Sequence, residues 1–279
     1  MVAAKCEGVG EIIMSFEIKE NVLIKYIAEE GITEVVIPEC ITIIGEKAFR
    51  DCENLVHVVF PQGLRKIENK AFYKCKALQD VSFPESLEHI GNDAFYQCKS
   101  IRHLVIPAKV EMIYWEAFEA CAELETVTLL GKPEFEWGPH KSIIFPQCHK
   151  LGKVFYKDIG IDWGYARYYK ENLNNVLTMI DEKDFSLKVG SKIKYRIAID
   201  YYLQTDDAVV GEFIKKNFLK IIRDFIEHIQ VERIQKILEQ TEFVTKKNID
   251  KCIEAVVGQT EADEKIRTLF VDYRNEKCL

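Results

Sequence analysis

The sequence predicts an α+β fold with a solenoid of stacked repeats first and an α-helical repeat or bundle domain second. A period of 23 residues runs through the first part, and it is clearest in the pairs Ala48-Phe49, Ala71-Phe72, Ala94-Phe95 and Ala117-Phe118. From Asp158 onward that period is lost, and apolar residues follow helical spacing instead. Repetition at a fixed period of 20–50 residues indicates stacked units that share one elongated core. We therefore predict domains at 1–157 and 158–279.

Composition and charge limit the kind of partner. The chain has 279 residues, of which 48 % are hydrophobic and 30 % charged, as in globular domains rather than disordered chains. Its net charge is −7, and no block of basic residues occurs. These values predict that neither nucleic acid nor a membrane surface is a partner.

The N-terminal residues favour a cytoplasmic protein. Glu7, Glu11 and Glu17 interrupt any apolar run there, whereas a signal peptide needs about 7–15 apolar residues behind a basic start. No segment reaches the roughly 20 apolar residues of a membrane span.

Each repeat unit is expected to hold one short strand and a return path. Leu55, Val58 and Phe60 have the spacing of a strand that buries alternate residues, and Pro61 ends it because proline cannot donate to a sheet ladder. The apolar residues from Leu64 to Cys75 predict a return path of turns and a short helix. Stacking then places all the strands in one parallel sheet on the concave face.

Partial copies flank the complete repeats. Segments 12–18 and 22–26 predict a hairpin that caps the open end, because a terminal repeat would otherwise expose its core. Cys148, Leu151 and Val154 resume the pattern after a step of 27, so four extra residues lie within 129–147 as a looped-out coil.

The cysteines follow the repeat. Cys52, Cys75, Cys98 and Cys121 each lie three residues after the Ala-Phe pair. Stacked coils would bring such residues within disulfide range, but without an export signal the pattern favours a ladder of small, buried, reduced side chains.

One stretch of sequence resembles a known family. The string Phe83-Pro84-x-Ser86-Leu87-x-x-Ile90-Gly91-x-x-Ala94-Phe95-x-x-Cys98 is similar to the BspA-like class of leucine-rich repeat, common in bacteria. The resemblance covers about 12–157 and implies a leucine-rich-repeat solenoid that serves as a binding scaffold, with no reaction. This sequence lacks the Asn ladder of ordinary leucine-rich repeats. The equivalent positions are occupied by Cys40, Gly63, Ser86 and Lys109.

The second half predicts helices. Apolar stripes at helical spacing include one from Val189 to Tyr201 and one from Phe213 to Ile226. An offset of 32 relates Ile221 to Ile253, Phe225 to Val257, Ile234 to Ile266 and Leu238 to Phe270. That offset resembles ankyrin-type helix pairs, and the segment from Thr245 to Asp250 resembles the helical tail of intracellular BspA-like proteins.

Motifs for catalysis and cofactor binding are missing from the sequence, including the dinucleotide and phosphate loops, the nucleophile elbow and the zinc-protease helix. His140, Cys148 and His149 are a weak metal candidate, because Cys148 falls in the buried column. The aromatic residues around Trp163 could form a ligand platform, although interdomain packing is favoured. We expect no enzyme activity, no cofactor and no small-molecule substrate.

The outward residues of the strands are the candidate site. They form a strip of mixed polar and small apolar side chains on the predicted concave face: Glu34, Val36, His57, Val59, Asp80, Ser82, His103, Val105, Thr126 and Thr128. A catalytic His-Asp-His array along it is conceivable, but an open sheet offers no pocket. The sequence therefore predicts a non-catalytic scaffold that binds a protein partner. The alternative is a surface adhesin or glycan-binding protein that is exported without a recognisable signal.

Overall fold

The computed structural model describes residues 15–28, 30–136, 145–162 and 173–277. Two compact units divide at Leu177 and Thr178. The first contains a β-solenoid of about five turns, and six helices follow it, as the predicted fold class requires. The predicted boundary at 157/158 and the ankyrin-like character of the helices stay predictions.

Two ladders of short parallel strands build the solenoid. The first has β3 (Glu34–Val36), β5 (His57–Val59), β7 (Asp80–Val81), β9 (His103–Ile106), β11 (Thr126–Leu129) and β13 (Lys153–Tyr156). The second has β4 (Ile43–Ile44), β6 (Lys66–Ile67), β8 (His89–Ile90), β10 (Met112–Ile113) and β12 (Glu134–Phe135). In the first ladder the pairing is continuous up to β7 and again from β9, and a single bridge between Ser82 and Val105 joins the two parts.

The predicted short helix in the return path is wrong. In the described part of residues 15–162 there is no helix, and turns connect the second ladder to the next coil. In each of the four turns that are described in full, two residues have positive φ, for example Lys70 at 59° and Lys74 at 62°. Such residues cannot continue a right-handed helix, and the amide of Phe72 instead donates to the Ala94 carbonyl of the next coil at 2.7 Å.

The predicted cap is a hairpin of β1 (Ser15–Lys19) and β2 (Val22–Ile27), paired antiparallel. β2 then runs parallel to β4, with Leu23 opposite Ile44, so the hairpin covers one edge of the second ladder. Tyr26 stacks on Phe49 with ring centroids 5.1 Å apart. The cap therefore continues the aromatic core as well as the sheet.

Phenylalanine side chains stack along the core of the solenoid. Centroid distances are 4.8 Å from Phe49 to Phe72, 5.1 Å from Phe72 to Phe95 and 5.3 Å from Phe95 to Phe118. Phe145, which lies 27 residues after Phe118, is the next member at 6.2 Å. Because β12 still pairs with β10, the extra residues lie after Phe135, where 137–144 are outside the described residues.

One further strand follows β13. β14 (Ile159–Asp162) pairs antiparallel with β13, and Ile159 and Ile161 are buried. Residues 163–172, which include the aromatic cluster at Trp163, are outside the described part of the chain.

The helices are α1 (Leu173–Glu182), α2 (Ser191–Thr205), α3 (Ala208–Glu227), α4 (Val231–Gln240), α5 (Ile249–Glu254) and α6 (Glu261–Glu276). Asp207 caps α3 by accepting bonds from the amides of Val209 and Val210, and Thr260 forms a capping box with Asp263 at α6. Arg233 of α4 holds Asp200 of α2 through two bonds of 3.0 and 2.7 Å.

The offset of 32 holds only in part. Ile234 and Ile266 are both fully buried, and Leu238 and Phe270 are buried as well. Phe225 is buried, however, whereas 84 % of Val257 is exposed. The two positions differ because α5 ends at Glu254 and leaves Val257 beyond the helix.

Candidate functional site

The ten predicted site residues lie in two columns on the first ladder. We call this surface the strip. Its charged column has Glu34, His57, Asp80, His103 and Thr126, and its apolar column has Val36, Val59, Ser82, Val105 and Thr128. Alternation along each strand produces the two columns, since Val35, Val58 and Leu104 between them point into the core.

Polar contacts run along the charged column. His57 Nδ1 is 3.5 Å from Asp80 Oδ2, and the two side chains are 45 % and 78 % exposed. His103 Nδ1 lies 2.9 Å from Thr126 Oγ1. Both histidines thus contact the next coil while remaining open to solvent.

The apolar column is unusually open for its residue type. Val36 is 44 % exposed, and Val59 and Val105 are each 47 % exposed. Valine side chains on neighbouring strands lie about 4.8 Å apart, so Val36 and Val59 present adjacent methyl groups to solvent. Such a surface can gain free energy when a partner removes it from water.

Two further members escaped the sequence reasoning. Lys153 pairs with Thr126, and Phe155 pairs with Thr128, so they extend the charged and the apolar columns respectively. The signal was present: the same step of 27 that relates Cys121 to Cys148 relates Thr126 to Lys153.

The predicted cysteine ladder has a hydrogen-bonding role. The thiols of Cys75, Cys98 and Cys121 donate to the carbonyls of Phe49, Phe72 and Phe95 at 3.0, 3.2 and 3.3 Å. Burial raises the pKa of each of these thiols well above its ordinary value. They are therefore protonated donors that link successive coils.

The weak metal candidate is not assembled among the described residues. Cys148 is buried, and its thiol donates to the Phe118 carbonyl at 3.2 Å. His149 is exposed, and His140 lies outside the described residues. The described side chains contain no group of three metal-ligating residues.

With two ladders, a thiol column and a 23-residue step established, the chain can be compared with known families. The model of the BspA type leucine rich repeat region matches residues 25–138 in six copies. Residues 25–138 are a BspA-type leucine-rich repeat region. Such repeats support a protein-interaction or adhesion role, and the family and fold are generally non-enzymatic.

Several solved structures of leucine-rich repeat proteins match part of this chain. A leucine rich cell surface protein from Faecalibacterium prausnitzii is 24 % identical over 57 % of this chain, with a TM-score of 0.46, and the match covers 41 % of that protein. The leucine-rich repeat protein of T. pallidum is 24 % identical over 53 % of this chain and 82 % of its own, with a TM-score of 0.41. One from Eubacterium ventriosum is 24 % identical over 49 % of this chain and 36 % of its own, with a TM-score of 0.44.

No curated protein gives a significant match. Within the described residues, none of the helices combines the length and the apolar character needed to cross a bilayer.

Proposed function

We propose that this chain is a non-catalytic interaction module whose leucine-rich repeat region binds a protein partner through the strip. The observation that carries the proposal is the open apolar column beside a polar one. Val36, Val59 and Val105 are exposed on short strands whose neighbouring residues are buried. Repeat proteins use extended surfaces of this kind to bind partners.

The chemistry of the strip supports binding rather than catalysis. His57 and Asp80 are its closest acid–base pair, and both side chains are largely exposed. Catalytic groups are usually activated in sites that exclude water and shift their pKa values. The buried thiols are protonated and lie in the core, where a substrate does not reach them.

A double charge change tests the location of the interface. Asp80→Lys with His103→Glu should abolish photo-crosslinking of a partner from a crosslinking residue placed at position 59, while the thermal unfolding curve stays unchanged. The control exchanges the ion pair of Glu53 and Lys76, which lie before β5 and β7 and outside the strip, with Lys76 Nζ 2.6 Å from Glu53 Oε1. Unchanged crosslinking in the first variant would place the interface elsewhere.

The proposal includes a cytoplasmic location. A ladder of thiol donors between coils is suited to a reducing compartment, where cysteines persist in the reduced form. Fractionation and protease treatment of whole cells separate this from the alternative, since an adhesin or glycan-binding protein would be digested on intact cells.

A further inference from the structure

Charge is distributed unevenly along the strip. Residues 33–40, 56–63 and 79–86 contain no Lys or Arg, and they carry the carboxylates of Glu34, Glu39, Asp80 and Glu85. The corresponding segments of the next coils, 102–109 and 125–132, carry Arg102, Lys109 and Lys132 against a single carboxylate, Glu125. The three coils from β3 to β7 are therefore the acidic half of the strip.

The acidic half also contains two of the three exposed valines of the strip. Val36 and Val59 lie between the column of Glu34 and Asp80 and the corner positions of Glu39 and Glu85. The Gln62 amide donates to Glu39 Oε2 at 3.3 Å, so this carboxylate is held at the edge of the strip. A complementary partner must offer apolar side chains flanked by positive charge.

The size of the strip favours a narrow partner. Three residues of strand span about 10 Å, and six strands about 4.8 Å apart span roughly 25 Å. The strip therefore covers about 250 Å². This area is well below the ~800 Å² that each side of a stable protein–protein interface buries. A second folded copy of this chain could bury only a small part of a stable interface on the strip, whereas a single rod-like segment about 10 Å wide matches its width.

The spacing of the columns selects a helix over an extended strand. Side chains three and four residues apart on a helix are separated by about 4.5 and 6 Å along its axis, close to the ~4.8 Å between coils. Side chains on one face of an extended segment are separated by about 6.6 Å and lose register after one coil. A helix is also about 10–12 Å wide, which matches the length of the strands.

We propose that the acidic half of the strip binds a basic amphipathic helix of a protein partner, laid along the stacking direction. Its apolar residues contact Val36 and Val59, and Lys or Arg on its flanks face Glu34 and Asp80. This inference rests on the proposed function and adds the chemistry of the partner.

Designed peptides provide the test, with the full chain as receptor. The probe is a labelled helical peptide of about 14 residues, or ~21 Å, with Leu on one face. Lys flanks this face only in the half of the peptide that would lie over β3 to β7, and uncharged Gln flanks it in the half that would lie over β9 and β11. Fluorescence anisotropy should show binding that weakens at higher salt. Replacing Glu34 and Asp80 by Lys should weaken it by about tenfold or more.

Matched controls isolate the interaction. Glu182→Lys with Glu239→Lys changes the net charge equally, and both positions are at helix C-terminal ends where lysine is tolerated. This variant should bind the probe as well as the unchanged chain. A peptide of the same composition, with Leu and Lys scrambled over all faces, should bind at least about tenfold more weakly than the probe.

The outcomes separate this inference from the proposed function. If an acidic peptide, or an extended proline-containing peptide, binds better and Glu34→Lys alters that binding, the basic helix is wrong and the strip remains the interface. If the probe does not bind, or binds both charge variants equally, the basic helix is also wrong. Crosslinking at position 59 then decides on the strip independently.

Discussion

Val58 and Val59 are neighbours on one short strand, yet Val58 is buried in the solenoid core and Val59 is 47 % exposed. The same contrast runs along every coil. In the core column, phenylalanine repeats from Phe49 to Phe145, because each ring packs on the equivalent phenylalanine ring of the next coil. In the charged column of the strip, Glu34 is followed by His57, Asp80 and His103. Packing thus fixes the residue type where coils touch through side chains, and it leaves the residues of the strip free to vary.

The largest difference is expected when the same charge is placed at Val58 and at Val59 in two separate variants. Val58→Asp should destabilise the solenoid by about 4 kcal/mol or more, because it buries a carboxylate without a partner. Val59→Asp should change the free energy of unfolding by less than about 0.5 kcal/mol. Chemical denaturation measures both, and equal losses would contradict the alternation.

The aromatic stack gives the next largest effect. Phe95→Ala should cost about 3–5 kcal/mol, because it removes a fully buried ring that contacts both Phe72 and Phe118. Tyr96→Ala is the matched control on the neighbouring, partly exposed Tyr73–Tyr96 stack, and it should cost about 1 kcal/mol. A smaller loss for Phe95→Ala than for Tyr96→Ala would mean that the buried column does not dominate stability.

Alkaline pH should weaken the solenoid through its thiols. Burial raises the pKa of Cys98 well above its usual value and that of Cys148 to about 12. The unfolded chain loses these protons from about pH 8.5 while the folded chain keeps them. The thiols' contribution to the free energy of unfolding is therefore fully present below that pH and is lost as the pH rises. Each thiol contributes up to about 1.4 kcal/mol per pH unit.

Denaturation curves between pH 7 and 10.5 measure that slope. Cys98→Ala should lower stability at pH 7, through the lost bond to Phe72, and should also reduce the alkaline slope by the share of one thiol. An unchanged slope in this variant would show that Cys98 does not keep its proton in the folded state.

The smallest predicted change in stability concerns the turns. Ala120 has a φ of +56°, and Ala122 has a negative φ. Ala120→Gly should stabilise the chain by about 0.5 kcal/mol because glycine adopts positive φ without strain, whereas Ala122→Gly should destabilise it by about 0.5–1 kcal/mol. Thermal unfolding compares the two, and the same sign for both would contradict the strained turn.

Much of the strip followed from the sequence because the repeat is nearly uniform. Once Leu55, Val58 and Phe60 are assigned to the core, strand alternation assigns His57 and Val59 to the surface. Lys153 and Phe155 required the step of 27 to be applied to the surface columns as well as to the cysteines. The contact of His57 with Asp80 required coordinates, since the repeat gives the column but not the rotamer.

The return path shows where sequence reasoning failed. Apolar residues from Leu64 to Cys75 have spacing that suits a short helix, but the backbone turns at Lys70 and Lys74 with positive φ. Neither residue is a glycine, so the usual sequence signal for this conformation is missing. Inter-coil bonds such as that from Phe72 to Ala94 hold the strained turns in place.

The sequence by itself determined the period, the stacked columns, the N-terminal hairpin and the change to helices after the repeats. These features depend on hydrophobic periodicity, which is a property of neighbouring positions along the chain. Only the tertiary structure decided the second strand ladder, the thiol donors and the bond that holds Glu39 at the edge of the strip. Those depend on hydrogen bonds between coils, in which a backbone group contacts a residue about one period away.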